Sequence, residues 1–151
     1  MTTSVIDKAV LVMRALLTDD IDTFRRLNAG LDGDETRAFA TLFTATFYKA
    51  ANDKFGKDHT AADVIEFAAE ARAEYVGSEI VSAEDAELVI REVLGADGLT
   101  DDMSTHARGQ AQTAMLVAIV RDARLSADEI DVLLDHSAQR VRSFYERQGR
   151  R

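Results

Sequence analysis

"TDDIDTFRR" occupies residues 18–26 and "TDDMSTHAR" residues 100–108. Each runs Thr-Asp-Asp, an apolar residue, a Thr two places on and an Arg three beyond that. Two acidic ligand sets for a metal would look like this, and so would two places where a helix begins. The surroundings favour helix starts. Apolar residues at spacings of three and four precede and follow both stretches, and Ser, Thr or Asp followed by acids recurs at Thr18, Asp32, Thr60, Ser82, Thr100 and Ser126. The first turn of a helix leaves four N–H groups unpaired. An oxygen at the N-cap accepts from one of them, and acids just inside favour the positive end of the dipole. "LSADEI" at 125–130 is the fullest case. Ser126 and Glu129 have capping-box spacing, and Leu125 and Ile130 stand where a hydrophobic staple would.

Working outward, the spacing predicts about seven helices. The first, about 4–17, turns Val5, Ile6, Ala9, Val10, Met13, Leu16 and Leu17 to one side. A short second helix after Thr18 points Ile21, Phe24 and Leu27 inward and ends near Gly30. Asp32 opens a third, striped by Phe39, Leu42, Phe43, Phe47 and Ala50, and "NDKFGKDH" (52–59) reads as a loop. The fourth begins near Thr60. It has Val64, Ile65, Ala68, Ala71 and Tyr75 inward, Asp63, Glu66, Glu70 and Glu74 outward, and Gly77 as its stop. Ser82 opens the fifth, with Ala86, Val89, Ile90, Val93 and Leu94 as its apolar set and Gly95 as its end; "ADGL" makes a turn. The sixth runs from Thr100 to about Arg124, and the seventh from Ser126 nearly to the end.

Composition agrees with an all-α fold. The 151 residues include no Pro, against roughly 5% in an average chain. Fixed kinks and Pro-rich linkers are thereby excluded. No segment alternates as a half-buried strand would. With 46% apolar residues and no shift in composition, residues 1–151 are expected to form a single all-helical domain. Four fragments also echo in order between the halves: "LVMRALL" with "LVIREVL", the two Thr-Asp-Asp stretches, "AGLDGDE" with "ARLSADE", and "FYK" with "FYE". They suggest two related three-helix units bridged by the fourth helix.

Charge and residue inventory bound the function. A net charge of −9 favours solubility and opposes a nucleic-acid site. There is no Cys, which excludes disulfides and thiolate chemistry and fits a cytoplasmic protein. The N-terminal apolar stretch, interrupted by Arg14, falls short of the ~20 residues that cross a bilayer. No Walker loop, G-x-G-x-x-G or G-x-S-x-G motif occurs. No catalytic residue, metal ligand or cofactor is therefore assigned.

Four constellations still merit comparison with structure. Asp97, Asp101, Asp102 and His106 are hard ligands around a turn, but lack EF-hand or di-iron spacing. The "DGLTDD" and "DARLSADE" turns resemble, over those few residues alone, the acidic helix-start turns of tellurite-resistance TerB-like helical proteins. His59, Asp63, Glu66 and Glu70 fall on one side of the fourth helix, as a ligating row or a solvated face would. His59, His106 and His136 lie on different predicted helices. The Phe39–Phe43–Phe47 row, with Tyr48 and Phe55, suits a core or an apolar pocket. Finally, Arg140, Arg142, Arg147, Arg150 and Arg151 against Glu146 give the last twelve residues +4, leaving −13 elsewhere. This suits a basic tail lying on an acidic face of its own or another protomer.

The resulting expectation is a non-catalytic cytoplasmic interaction or regulatory module, self-associating or bound to another protein, with no nucleic-acid or membrane partner. The alternative is a helical protein that binds a divalent metal or small ligand through its acidic helix-start turns.

Overall fold

A computed structural model describes residues 3–76 and 80–149, excluding the side chains of Tyr75 and Val76. The fold is all-α. Seven α-helices are described: α1 (Thr3–Leu17), α2 (Ile21–Ala29), α3 (Gly33–Phe55), α4 (Ala61–Ala71), α5 (Ala83–Val93), α6 (Thr105–Asp122) and α7 (Ala127–Gly149). A π-helical turn, Arg72–Val76, continues α4, and no strand occurs among the described residues. The expected inward place of Tyr75 and the stop at Gly77 lie outside the described residues.

Caps set most helix starts. Asp32 accepts from the Glu35 N–H at 2.8 Å, while Glu35 accepts from the Asp32 N–H at 3.0 Å. Thr60 with Asp63 and Ser126 with Glu129 make the same reciprocal pair. Ser82 accepts from the Asp85 N–H at 3.0 Å. Each such cap is worth about 1 kcal/mol.

The two Thr-Asp-Asp stretches depart from expectation in a specific way: neither Thr is a cap. Asp20 caps α2, accepting from the Thr23 N–H, and Ser104 caps α6, accepting from the Ala107 N–H at 3.0 Å. Thr18 instead completes the end of α1, donating its hydroxyl to the Arg14 carbonyl at 2.7 Å. Beyond it, Asp19 adopts a left-handed φ of 62° so that the Asp20 N–H reaches the Ala15 carbonyl at 2.9 Å. Thr100 is buried in the connection before α6, where its N–H and hydroxyl both donate to Glu92 Oε2, at 2.7 and 2.8 Å.

Two compact units are formed, one from residues 1–49 and 125–151, the other from residues 50–124. In the first, α1 packs on α2 and α7. Ile6, Met13 and Leu16 of α1, Leu42 and Phe47 of α3, and Ile130, Leu134 and Val141 of α7 are buried. Thr46 and Ser137 are fully buried hydroxyls, and each donates to the carbonyl four residues earlier. Ion pairs tie α1 to its neighbours: Lys8 to Glu35, Arg14 to Asp131 and Asp7 to Arg142. The α2 helix buries no residue fully; Ile21 is exposed rather than inward, while Phe24 and Leu27 are half-buried.

In the second unit α5 packs on α4 and α6, around Val64, Phe67, Val89, Ile90, Met115 and Leu116. Ile65, expected inward, is 50% exposed, and Phe67 takes the buried place. Asn52–Phe55, expected as loop, extend α3 by a turn; only then does Gly56, at φ 67°, let the chain turn away.

Candidate functional site

Asp20, Asp32, Glu35, Asp63 and Glu129 each accept from a backbone N–H at a helix start. The turn with Asp97, Asp101, Asp102 and His106 is open to solvent instead. All four residues are exposed, and no three His, Asp or Glu side chains gather to hold an ion among the described residues. The Asp101 carboxylate lies over Gly98, where a Cβ would meet Oδ2 at 3.3 Å, and it is the φ of 80° that calls for glycine there.

The fourth-helix row behaves differently. His59 stands in the loop before the Thr60 cap, its Nδ1 within 2.9 Å of the Gly56 carbonyl and its ring edge-on to Phe55. Asp63, Glu66 and Glu70 stay together on α4. They line an open cleft of about 270 Å³ with Lys54, Phe55, Phe67 and Asp122. Phe55 and Phe67 meet edge to face at 5.6 Å. The Lys54 ammonium lies 4.4 Å from the Phe67 ring centroid and 5.6 Å from that of Phe55, and it donates to Asp122 Oδ2 at 2.7 Å. The Lys54 ammonium is thus held by the two rings and one carboxylate, and Asp63, Glu66 and Glu70 border the same open cleft.

His106 and His136 are exposed on α6 and α7. The Phe row proves to be a column of rings in the first unit. Phe24, Phe39, Phe43 and Phe47 follow one another at 6.4, 6.4 and 6.1 Å, and Phe43 and Phe47 are buried. Tyr48 and Phe55 leave this column. Tyr48 is 44% exposed, with the Arg140 guanidinium 5.3 Å from its ring, and Phe144, one turn beyond Arg140, is also 44% exposed. Tyr145 beside it reaches Thr41, hydroxyl to hydroxyl at 3.2 Å. Of the described basic-tail residues, Arg142 pairs with Asp7 of its own chain.

Comparison with protein-family models, curated proteins and solved structures returns no match. The described elements define an all-helical protein; among the described residues, no helix is long and apolar enough to cross a membrane.

Proposed function

We propose that this chain is a non-catalytic cytoplasmic interaction module that associates with further copies of itself. The observation that carries the reading is the surface made by Tyr48, Arg140 and Phe144. Tyr48 and Phe144 each stand 44% exposed, and the Arg140 guanidinium lies over the Tyr48 ring at 5.3 Å, one helical turn before Phe144. Aromatic residues and Arg are the types enriched at protein interfaces, where a few of them supply most of the binding energy. The electrostatics support a second copy as partner: this corner belongs to the basic end of a chain that is otherwise strongly acidic. Light scattering across concentration and salt tests the reading. The expected result is a mass that rises with concentration, falls with added salt and stays at one chain in the Tyr48→Ala/Phe144→Ala variant. A mass of one chain for the wild type at every concentration removes it.

A further inference from the structure

We infer that two copies of this chain pair through α7, antiparallel across a two-fold axis level with Ala138, so that association stops at a dimer. The inference rests on the self-association proposed above and names what the Tyr48 surface meets: the other end of the same helix in a second copy. Within the chain, α7 turns Leu134 and Val141 into its own unit and is tied to α1 by the Arg14–Asp131 and Asp7–Arg142 ion pairs. Its outer side faces solvent. There Glu129, Val132, His136, Arg140, Phe144 and Arg147, at steps of three and four, form one stripe of exposed residues. Two of them are large apolar side chains left mostly or nearly half uncovered, Val132 at 69% exposure and Phe144 at 44%.

Charge decides how a second copy sits on this stripe. It begins acidic, with Glu129, and ends basic, with Arg140 and Arg147. Glu129 uses one oxygen, Oε1, for the Ser126 N–H, and Arg147 makes no ion pair among the described residues. A parallel pair of helices would set Glu129 against Glu129 and Arg147 against Arg147. An antiparallel pair does the reverse.

The six residues fit that arrangement position by position. Glu129 and Arg147 stand nine residues to either side of Ala138, Val132 and Phe144 six, and His136 and Arg140 two. In a two-fold contact each such pair forms twice, because residue i meets j and j meets i. Glu129 then meets Arg147 of the second copy at both ends, and Val132 packs against Phe144 of that copy. Near the axis, the His136 imidazole offers a ring nitrogen to the facing Arg140 guanidinium. A partner of a single charge sign would satisfy one end of the stripe and oppose the other.

Sedimentation equilibrium of the full chain at low salt tests the pairing with charge-swapped variants. The wild type should reach the mass of two chains and no more. Glu129→Arg and Arg147→Glu should each weaken association by about tenfold, since one swap turns two exposed ion pairs repulsive. Mixed in equal amounts, the two variants should recover wild-type affinity, because Arg then faces Glu at both ends. Arg147→Lys keeps the charge and should change little. Arg147→Glu leaves the α7 cap intact, so with Arg147→Lys it decides the matter alone should Glu129→Arg fail a circular dichroism check of folding. A wild type that stays at one chain removes the self-association reading and this inference with it. Growth beyond two chains, single swaps that associate as tightly as the wild type, or a mixture of folded variants no tighter than its parts overturns the pairing alone.

Discussion

Replacing Thr100 by Val separates the two Thr-Asp-Asp stretches by a measurable energy. Thr100 is 1% exposed, and Glu92 Oε2 receives both its N–H, at 2.7 Å, and its hydroxyl, at 2.8 Å. Its carbonyl accepts from Arg108 Nη2 at 3.1 Å. One residue thereby ties the end of α5, the connection and the first turn of α6. Val keeps the branched shape and the backbone bonds but deletes the hydroxyl. A hydrogen bond to a charged acceptor contributes about 1.5–3 kcal/mol net, so a loss near 2 kcal/mol is expected. The same change at Thr18 deletes a hydroxyl that shares the Arg14 carbonyl with the Thr18 N–H, in a half-buried position. That loss should stay below about 0.5 kcal/mol, the usual range for surface changes.

Native-state hydrogen exchange is the appropriate assay. It reports the opening energy at amides such as Ile90 and Leu116 whether or not the two units unfold together. Ser104→Ala, which removes the observed cap of α6, supplies a scale of about 1 kcal/mol. If the two Thr→Val variants differ by less than about 0.5 kcal/mol, the buried Glu92–Thr100 link does not hold the α5–α6 connection, and the reasoning fails.

Leu134→Ala empties a fully buried place on α7 and should cost about 2–5 kcal/mol, whereas Leu11→Ala, at a site 57% exposed, should cost less than about 0.5, both read from urea midpoints. Glu35 is held below the usual carboxylate range, first by the Lys8 ammonium and then by the Asp32 N–H. Its contribution to stability is therefore complete above the unfolded value, about 4.3, and is lost as pH falls through the lower folded value. Glu35→Gln keeps a capping-box side chain without the charge, so its urea midpoint should lie below the wild type at neutral pH and converge with it in acid; a constant gap across that range refutes the assignment. Arg124 has a left-handed φ of 53°, so Arg124→Gly should stabilise the chain by up to about 1 kcal/mol in the same assay, and a loss of stability would show the strain to be absent.

Helix number and the faces of α1, α3, α5 and α7 were legible because apolar spacing and capping oxygens agree there. Cap positions failed where several candidates compete. Between Leu17 and Phe24 stand Thr18, Asp19, Asp20, Asp22 and Thr23, and the choice of Asp20 follows from how α1 closes, which depends on Asp19 turning left-handed. Ile65 was misplaced for a related reason. Apolar residues at 64, 65, 67 and 68 overfill one helical stripe, and the packing of α5 and α6 on α4 decides that Phe67 is buried and Ile65 is not. Half of the cleft was legible too. Asp63, Glu66 and Glu70 follow from helical spacing, but Lys54 and Asp122 stand 68 positions apart at the ends of α3 and α6, and no local pattern links them.

The echo between the halves takes a different meaning once its residues are placed. Its fragments do fall at corresponding points: at the ends of the first helices, across the connections into the second and third helices, and within the third helices of the sets α1–α3 and α5–α7. Both first helices also close with the same pair of backbone bonds: the Asp20 N–H to Ala15 and Asp19 N–H to Leu16 in α1, and the Ala96 N–H to Arg91 and Gly95 N–H to Glu92 in α5. That closure, however, is a common way for any helix to end on a left-handed residue. The side chains do not repeat their tasks. Thr18 binds its own helix while Thr100 binds the preceding one, and the caps fall at Asp20 and Ser104, two positions out of register. The second helices differ as much, since α2 has nine residues and none buried, whereas α6 has eighteen and buries six. Shared punctuation with unshared contacts is what helix chemistry alone produces when Thr and Asp are the residues available to stop one helix and start the next.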